Sequence, residues 1–560
     1  MTNSISFNHS KVGNKICSYL VAGLLQLGCY VSLETYLNKK AIAAENVILS
    51  YGILEFSLSV NSLETYARTG KIDEELQGYA NFLTPQQLAE LKVGLTTSAD
   101  FSHLAIAQFL YSFQGETILN RVSKVFKTEA RQPGFFAIRA ALILAAADQD
   151  RGLTPLNVIK KFPTDTLRID SRQGFEIFKD LSKVVQRNAF AVAAVEQEVT
   201  KERQELTTIS PQVRNLNLLL PGGYDYQLQM LTMNDRRRDR IFPVELYLPE
   251  IGHHSKQSKL PLVVISHGLG SDLTTFSYLA KHLASHGFAV AVPEHPGSSA
   301  KQIAALLNGL ESNVTPPEEL INRPLDIKFL LDRLTERFGG QIDVNHVGII
   351  GQSFGGYTAL ALAGAEINWK LLRRDCPNID SSWNLSWLIQ CLALQIPLVV
   401  KEQELKDERI TAAIAINPLV SSIFGQESLS KIDVPLMLIS GSSDPITPSL
   451  PEQITPFTWL TTPEKYLVLL KGGTHFSTLA ESAGSIPVPQ KAIGPSPKIA
   501  QDYVRQLGLA FFGKYITEKE AYSNYLNAEY GAVISRKKFP LRLVETLNPD
   551  ILELESQKQE

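Results

Sequence analysis

Ser353 stands between Gly351 and Gly355 in the stretch GIIGQSFGGYTAL, residues 348–360, forming G-x-S-x-G. The residues before it, Val347 to Ile350, are apolar and mostly β-branched and predict a buried strand; Thr358 to Leu362 predict a helix. A strand-to-helix turn this tight strains the serine backbone, and side chains beside it would clash. Glycine on either side removes the clash and lets the hydroxyl stand above the sheet edge. The helix start adds free N–H groups and the positive end of its dipole. A glycine-rich turn with a chance serine reads the same, so the rest of the chain must supply a base, an acid and an oxyanion hole.

A serine hydroxyl is a weak nucleophile until a base takes its proton, and histidine suits that task near neutral pH. An acid must then orient the imidazole and stabilise its charged form. After Ser353 one histidine remains, His475, in LLKGGTHFS, past an apolar strand and a Gly-Gly turn. Asp444, in LMLISGSSDPIT, lies at the carboxyl end of the strand before it, after a turn of small residues. A helix-capping aspartate before Pro445 is the other reading of Asp444. Asn417, past AAIAIN, is the alternative orienting group; an amide there could hold a histidine but not stabilise an imidazolium by charge. The order serine, aspartate, histidine is that of the α/β-hydrolase arrangement.

An oxyanion hole needs two N–H groups aimed at the developing negative oxygen. One is expected from Phe354, the residue after the serine. The other is expected from Leu269 in LVVISHGLG, where Gly268 and Gly270 let the backbone approach a substrate. His267 is expected to brace that loop by hydrogen bonding, or to be a plain turn residue.

These residues need a scaffold that gathers strand ends. After PGGYDYQL, a hairpin (YQLQMLTMND and RDRIFPVELYLPE) is followed by alternating strands and helices. Such alternation predicts an α/β class: a mostly parallel, doubly wound sheet of the α/β-hydrolase fold over residues 215–530, with ligands at the carboxyl ends of strands. Arg236, Arg237, Arg238 and Arg240 at the hairpin turn are expected to form a solvated tip. Residues 45–205 predict an all-α N-terminal domain. Its helix starts are Thr84-Pro85 with Gln87 three after the cap, and Thr154-Pro155. His103 there is expected to be structural. Residues 366–409 exceed a plain connection and carry Trp369, Trp383 and Trp387, as a lid over an acyl pocket or as a small core of their own. Residues 531–560 predict a C-terminal tail.

The segment SHGLGSDLTTFSYLAKHLASHGFAVAVPEHPGSS, with GQSFGG, resembles the plasma-type platelet-activating-factor acetylhydrolases and related bacterial dienelactone-hydrolase-like esterases, over roughly residues 225–515. The resemblance implies a calcium-independent serine esterase acting on carboxylic esters, often phospholipids with a short or oxidised acyl chain, with Leu269 and Phe354 as oxyanion donors. In those acetylhydrolases the acid follows the sixth strand, where Asn417 falls here. Dienelactone hydrolases typically carry cysteine at the elbow, where this chain has Ser353. VILSYGILEFSLSVNSLETYARTG and LNVIKKFP resemble the helical domain of unknown function that precedes such hydrolases in cyanobacteria.

With 560 residues, more than one domain is expected; 44% hydrophobic and 20% charged residues fit a soluble globular class. A net charge of −3 gives no sign of nucleic-acid binding. Lys11 and Lys15, the apolar run Ile16 to Leu33 and Ala41-Ile42-Ala43 predict an export signal over residues 1–44, cleaved near Ala43 or Ala44, with an uncleaved anchor at 16–33 as the alternative. A lipid-modified Cys29 is the weaker variant. Export would leave Cys376 and Cys391 to form one disulfide, the alternative being two buried thiols. No metal and no organic cofactor is required. The expected partner is a small-molecule or lipid ester, with contact to a membrane surface. Three readings remain at this point: a serine ester hydrolase, an acyltransferase using the same triad, and a partner- or membrane-binding protein working through the helical domain.

Overall fold

The computed structural model describes residues 43–206, 217–250, 259–480 and 493–552. The expected export signal lies outside them, apart from the cleavage position at Ala43 and Ala44. Two compact units emerge: within the described residues, 43–103 with 122–172, and 104–121 with 173–552.

The first unit is not all-α. It holds a four-stranded sheet in which β1 (Asn46–Tyr51) pairs with β2 (Leu54–Ser59), β3 (Phe126–Lys127) pairs with β4 (Thr166–Asp170), and β4 runs parallel to β1. NVILSY and LEFSLS carry β-branched, aromatic and alternating residues, the strand signature that the helical spacing downstream obscured. Gly52 turns the hairpin at φ 62°, a conformation L side chains rarely adopt. The expected helix starts are present. Thr84 accepts from the Gln87 N–H at 3.2 Å while Gln87 accepts from the Thr84 N–H at 2.9 Å, and Thr154 caps the helix Pro155–Lys160. His103 is exposed at the start of the helix His103–Tyr111.

The second unit is built on a nine-stranded sheet. Its strands are β5 (Tyr226–Asp235), β6 (Arg240–Pro249), β7 (Leu260–Ser266), β8 (Ala289–Pro293), β9 (Ile342–Gln352), β10 (Ile410–Ile416), β11 (Leu436–Gly441), β12 (Lys465–Leu470) and β13 (Leu541–Val544). Their order is β13-β12-β11-β10-β9-β7-β8-β6-β5, and the run from β8 to β12 is parallel throughout. The order reverses between β7 and β9, so a crevice opens at their carboxyl ends. Two expected boundaries shift. The helix Ser171–Glu205 falls almost wholly in this unit, and β13, inside the expected tail, pairs with β12 as an edge strand.

Strand periodicity sorts the side chains into two cores. Leu262, Val264, Ala413, Ala415, Leu467 and Leu469 face one. Val263, Ile265, Ile414, Ile416, Tyr466 and Val468 face the other. Each large buried side chain contributes about 1.5–3 kcal/mol of transfer free energy. On the first face the helix Glu319–Phe338 packs with the helix Phe354–Leu362 that follows the serine. Pro324 lies inside the former and cannot donate to the carbonyl of Leu320, four residues back. The buried Tyr357 hydroxyl takes up that acceptor at 2.8 Å, and its ring stacks on Phe424 at 5.1 Å.

The arginine-rich turn is only partly solvated. Arg238 pairs with Asp235 and Asp326, and Arg240 turns inward to Glu319 and Asp326. Those two carboxylates are almost wholly buried, and each needs a cation.

Tyr357→Phe removes the donor from the Leu320 carbonyl and nothing else. A loss of about 1–3 kcal/mol is expected, the cost of one unsatisfied buried acceptor, read as a lower denaturant midpoint at unchanged m-value.

Candidate active site

Ser353 sits where β9 ends and the helix Phe354–Leu362 begins, with φ 56° and ψ −117°. The close packing predicted from the glycines is there. A Cβ on Gly351 would lie 2.0 Å from the Gly355 carbonyl oxygen, and one on Gly355 would lie 2.0 Å from the Ser266 carbonyl oxygen. The Ser353 N–H is spent on the Ile416 carbonyl at 2.8 Å, which fixes the elbow to β10.

Asp444 and His475 are joined: Nδ1 lies 2.7 Å from Asp444 Oδ2. Asp444 also caps its own turn, accepting from the N–H groups of Ile446 (2.7 Å) and Thr447 (2.9 Å) and from the Thr447 hydroxyl (2.8 Å). No helix starts at Pro445, so the carboxylate closes a turn: one oxygen serves that turn and the other serves the turn and the imidazole. Asn417 does not take the acid's place. At φ 43°, it accepts from the Gly441 N–H at 2.9 Å and donates to the Thr474 carbonyl at 3.3 Å, tying the acid-bearing loop to the histidine loop.

Ser353 is linked to this pair through its neighbour. Gln352 Nε2 donates to the His475 carbonyl at 3.0 Å. Among the described residues no hydrogen bond joins the Ser353 hydroxyl to the imidazole, and catalytic hydrogen bonds in unliganded sites are commonly long. Ser353, Asp444 and His475 are all buried.

On the other side of the elbow, the loop after β7 is held closely. His267 braces it as expected, with Nδ1 2.7 Å from the Gly268 carbonyl and Nε2 accepting from the His295 N–H at 3.0 Å. Gly268 packs on Gln352, whose Oε1 would lie 2.3 Å from an added Cβ. Gly270, at φ 71°, donates to the Ser298 carbonyl at 2.8 Å. Between them, the Leu269 N–H has no partner among the described residues, and neither does that of Phe354.

Sequence reasoning missed the buried layer beneath: His295, Glu319, Arg323 and Asp326. His295 lies between Ser266 (3.1 Å) and Asp326 (3.1 Å). Burial first, and then the Arg323 guanidinium, push both His267 and His295 well below the usual histidine range. Two signals were available: His295 lies within the stretch that carries the family resemblance, and Arg323 and Asp326 fall three apart on an apolar helix face.

The insertion over 366–409 is stapled. Cys376 and Cys391 form a disulfide with Cα atoms 5.6 Å apart. The fully buried Glu452 accepts from Asn384 Nδ2 (2.5 Å), Ser386 Oγ (3.0 Å) and Gln390 Nε2 (3.1 Å) of the insertion, and from the Val420 (2.6 Å) and Ser421 (3.0 Å) N–H groups after β10. Among the described residues, no group of histidine, cysteine, aspartate or glutamate side chains has the arrangement of a metal site.

Comparison with known proteins gives two family matches. Residues 43–170 match a family model described as an alpha/beta hydrolase of unknown function. Residues 251–322 match one described as platelet-activating factor acetylhydrolase, isoform II. A platelet-activating factor acetylhydrolase of Cavia porcellus is 24% identical over 303 residues, 46% of this chain and 58% of the relative. Those of Bos taurus and Canis lupus familiaris are 29% and 32% identical over 149 and 143 residues, 19% and 18% of this chain and 33% and 31% of each relative. The chain thus spans less than two thirds of the length of each.

Because the folded imidazoles of His267 and His295 resist protonation, the unfolded chain binds more protons below about pH 6.5, and stability falls as pH drops through that range. Their ring resonances are expected to stay those of neutral imidazole from pH 8 to pH 5, checked by NMR titration. By its strand order and its serine elbow the chain has the α/β-hydrolase fold, and it is similar to the platelet-activating factor acetylhydrolases.

Proposed function

We propose that the protein is a serine carboxylic-ester hydrolase. The observation that carries this reading is the 2.7 Å Asp444–His475 bond at strand ends tied to a strained serine elbow. Ser353 Oγ attacks the ester carbonyl while His475 Nε2 takes its proton. Asp444 holds Nδ1 and stabilises the imidazolium. The carbonyl oxygen gains the negative charge and accepts from the Leu269 and Phe354 N–H groups. His475 then returns the proton to the leaving alcohol as the acyl-enzyme forms. Water, deprotonated by the same nitrogen, attacks the acyl carbon; acid leaves and Ser353 recovers its proton.

The substrate class we propose is a lipid ester, in keeping with the similarity to platelet-activating factor acetylhydrolases. By helical spacing, Phe175, Phe178, Leu181 and Val185 share one side of the helix Ser171–Glu205, and Arg172, Lys179, Lys183 and Arg187 the other. That segregation suits contact with a lipid surface. The Cys376–Cys391 disulfide suits an oxidising compartment and so supports export. The insertion acts as a fixed wall in this reading, because opening it would strip donors from the buried Glu452 carboxylate.

Steady-state hydrolysis of p-nitrophenyl esters from acetate to palmitate tests the proposal. Ser353→Ala is expected to lose about three or more orders of magnitude in kcat, and Asp444→Asn about four. Asn417→Ala is expected to cost far less, since it removes a brace and no charge. Hydrolysis by Ser353→Ala at the wild-type rate, or a larger loss at Asn417 than at Asp444, would overturn the assignment.

A further inference from the structure

We infer that Arg323 is the positioning residue of the oxyanion hole: one buried guanidinium sets the two N–H donors, Leu269 and Phe354, against each other. This rests on the esterase reading above.

All three guanidinium nitrogens donate, and the groups they touch belong to the two halves of the hole. Toward the Leu269 loop, Nη2 donates to the His267 carbonyl and to Ser266 Oγ (3.2 Å). Nη1 donates to Ser298 Oγ at 2.7 Å, and the Ser298 carbonyl in turn holds the Gly270 N–H at 2.8 Å. Leu269 is therefore bracketed: Arg323 grips the carbonyl two residues before it and, through Ser298, the amide one residue after it. Toward the nucleophile helix, Nε donates to Thr358 Oγ1 at 3.1 Å, and the guanidinium carbon lies 4.6 Å from the Phe354 ring centroid. The residue that offers the second N–H is thus held by its own side chain.

The charge is maintained from behind. Burial pushes the fully buried Arg323 guanidinium down to about 9, and Glu319 and Asp326 offset part of that cost. Both carboxylates also carry Arg240, at 2.6 Å each, so neither is free to collapse onto Arg323 and pull it from the hole. Asp326 orients His295 at 3.1 Å, and the His295 N–H holds the His267 ring. A guanidinium is suited to this place because its donors fan out in one plane with fixed angles. A lysine ammonium could keep the charge but could not reach Thr358, Ser298 and the His267 carbonyl together.

A hole set a fraction of an ångström too wide loses transition-state binding while ground-state binding survives. The experiment compares wild type with Arg323→Lys, using ester hydrolysis and inhibition by an alkyl trifluoromethyl ketone. Ser353 adds to that ketone to give a hemiketal oxyanion. Rates are normalised to serine titrated to completion with a fluorophosphonate, which removes any difference in folded fraction. For Arg323→Lys, kcat is expected to fall about 10²–10³-fold, the range for loss of one oxyanion donor. KM should stay within about threefold, and the ketone inhibition constant should rise by the same factor as kcat/KM falls. Thr358→Val, which removes the acceptor for Nε and the hydroxyl's own bond to the Phe354 carbonyl (2.8 Å), should show the same pattern about tenfold weaker, and it carries the test if Arg323→Lys does not fold. A folded Arg323→Lys with wild-type kcat, or one whose loss lies in KM with ketone affinity unchanged, would overturn the inference. A wild type inert to both ester and ketone would instead overturn the esterase reading, and this assignment with it.

Discussion

The site depends on one constraint, the close approach of three backbone segments at the end of β9. Ser353 takes a positive φ, and its neighbours Gly351 and Gly355 lie where a methyl group would meet carbonyl oxygens at 2.0 Å. Strain of this kind costs of order 1–3 kcal/mol and persists only where surroundings over-determine it. Here they do. The Ser353 amide is fixed to β10, Gly355 presses on Ser266 at the end of β7, and Gly356 lies against Pro418. The backbone conformation that positions the serine is therefore a property of the sheet's packing.

From that point the parts are passed between strand ends. Gln352, one residue before the serine, touches Gly268 of the β7 loop and donates to the His475 carbonyl of the β12 loop. Asn417, at the end of β10, links the loops after β11 and β12. Neither side chain takes part in the proposed proton transfers, yet each joins two loops that carry a candidate site residue. The acid's displacement from the position expected by resemblance becomes intelligible in the same terms. With aspartate after β11 and asparagine after β10, the amide supplies both a donor and an acceptor to the two loops, which a carboxylate could not.

Much of this was legible in the sequence, and the reasons differ by residue. His475 could be named because no other histidine follows Ser353, and Asp444 because small residues precede it at a strand end. The disulfide followed from two cysteines a short loop apart. Arg323 was hidden because an arginine on a helix is ordinarily solvated, and its main acceptor, the His267 carbonyl, lies 56 residues away. Arg240 misled for the same reason, its carboxylates being far along the chain. The N-terminal sheet was missed because β1 pairs with β4 across more than a hundred residues, and local helical spacing dominates between them.

The central claim is that Ser353 is a nucleophile activated by His475 and Asp444. It is tested most directly by intact-mass spectrometry after treatment with an alkyl fluorophosphonate, which needs no knowledge of the natural ester. The account predicts one phosphonyl adduct on wild type, located to Ser353, and none at the same exposure on Ser353→Ala or His475→Ala. An unmodified wild type, or an adduct that persists in Ser353→Ala, would contradict it.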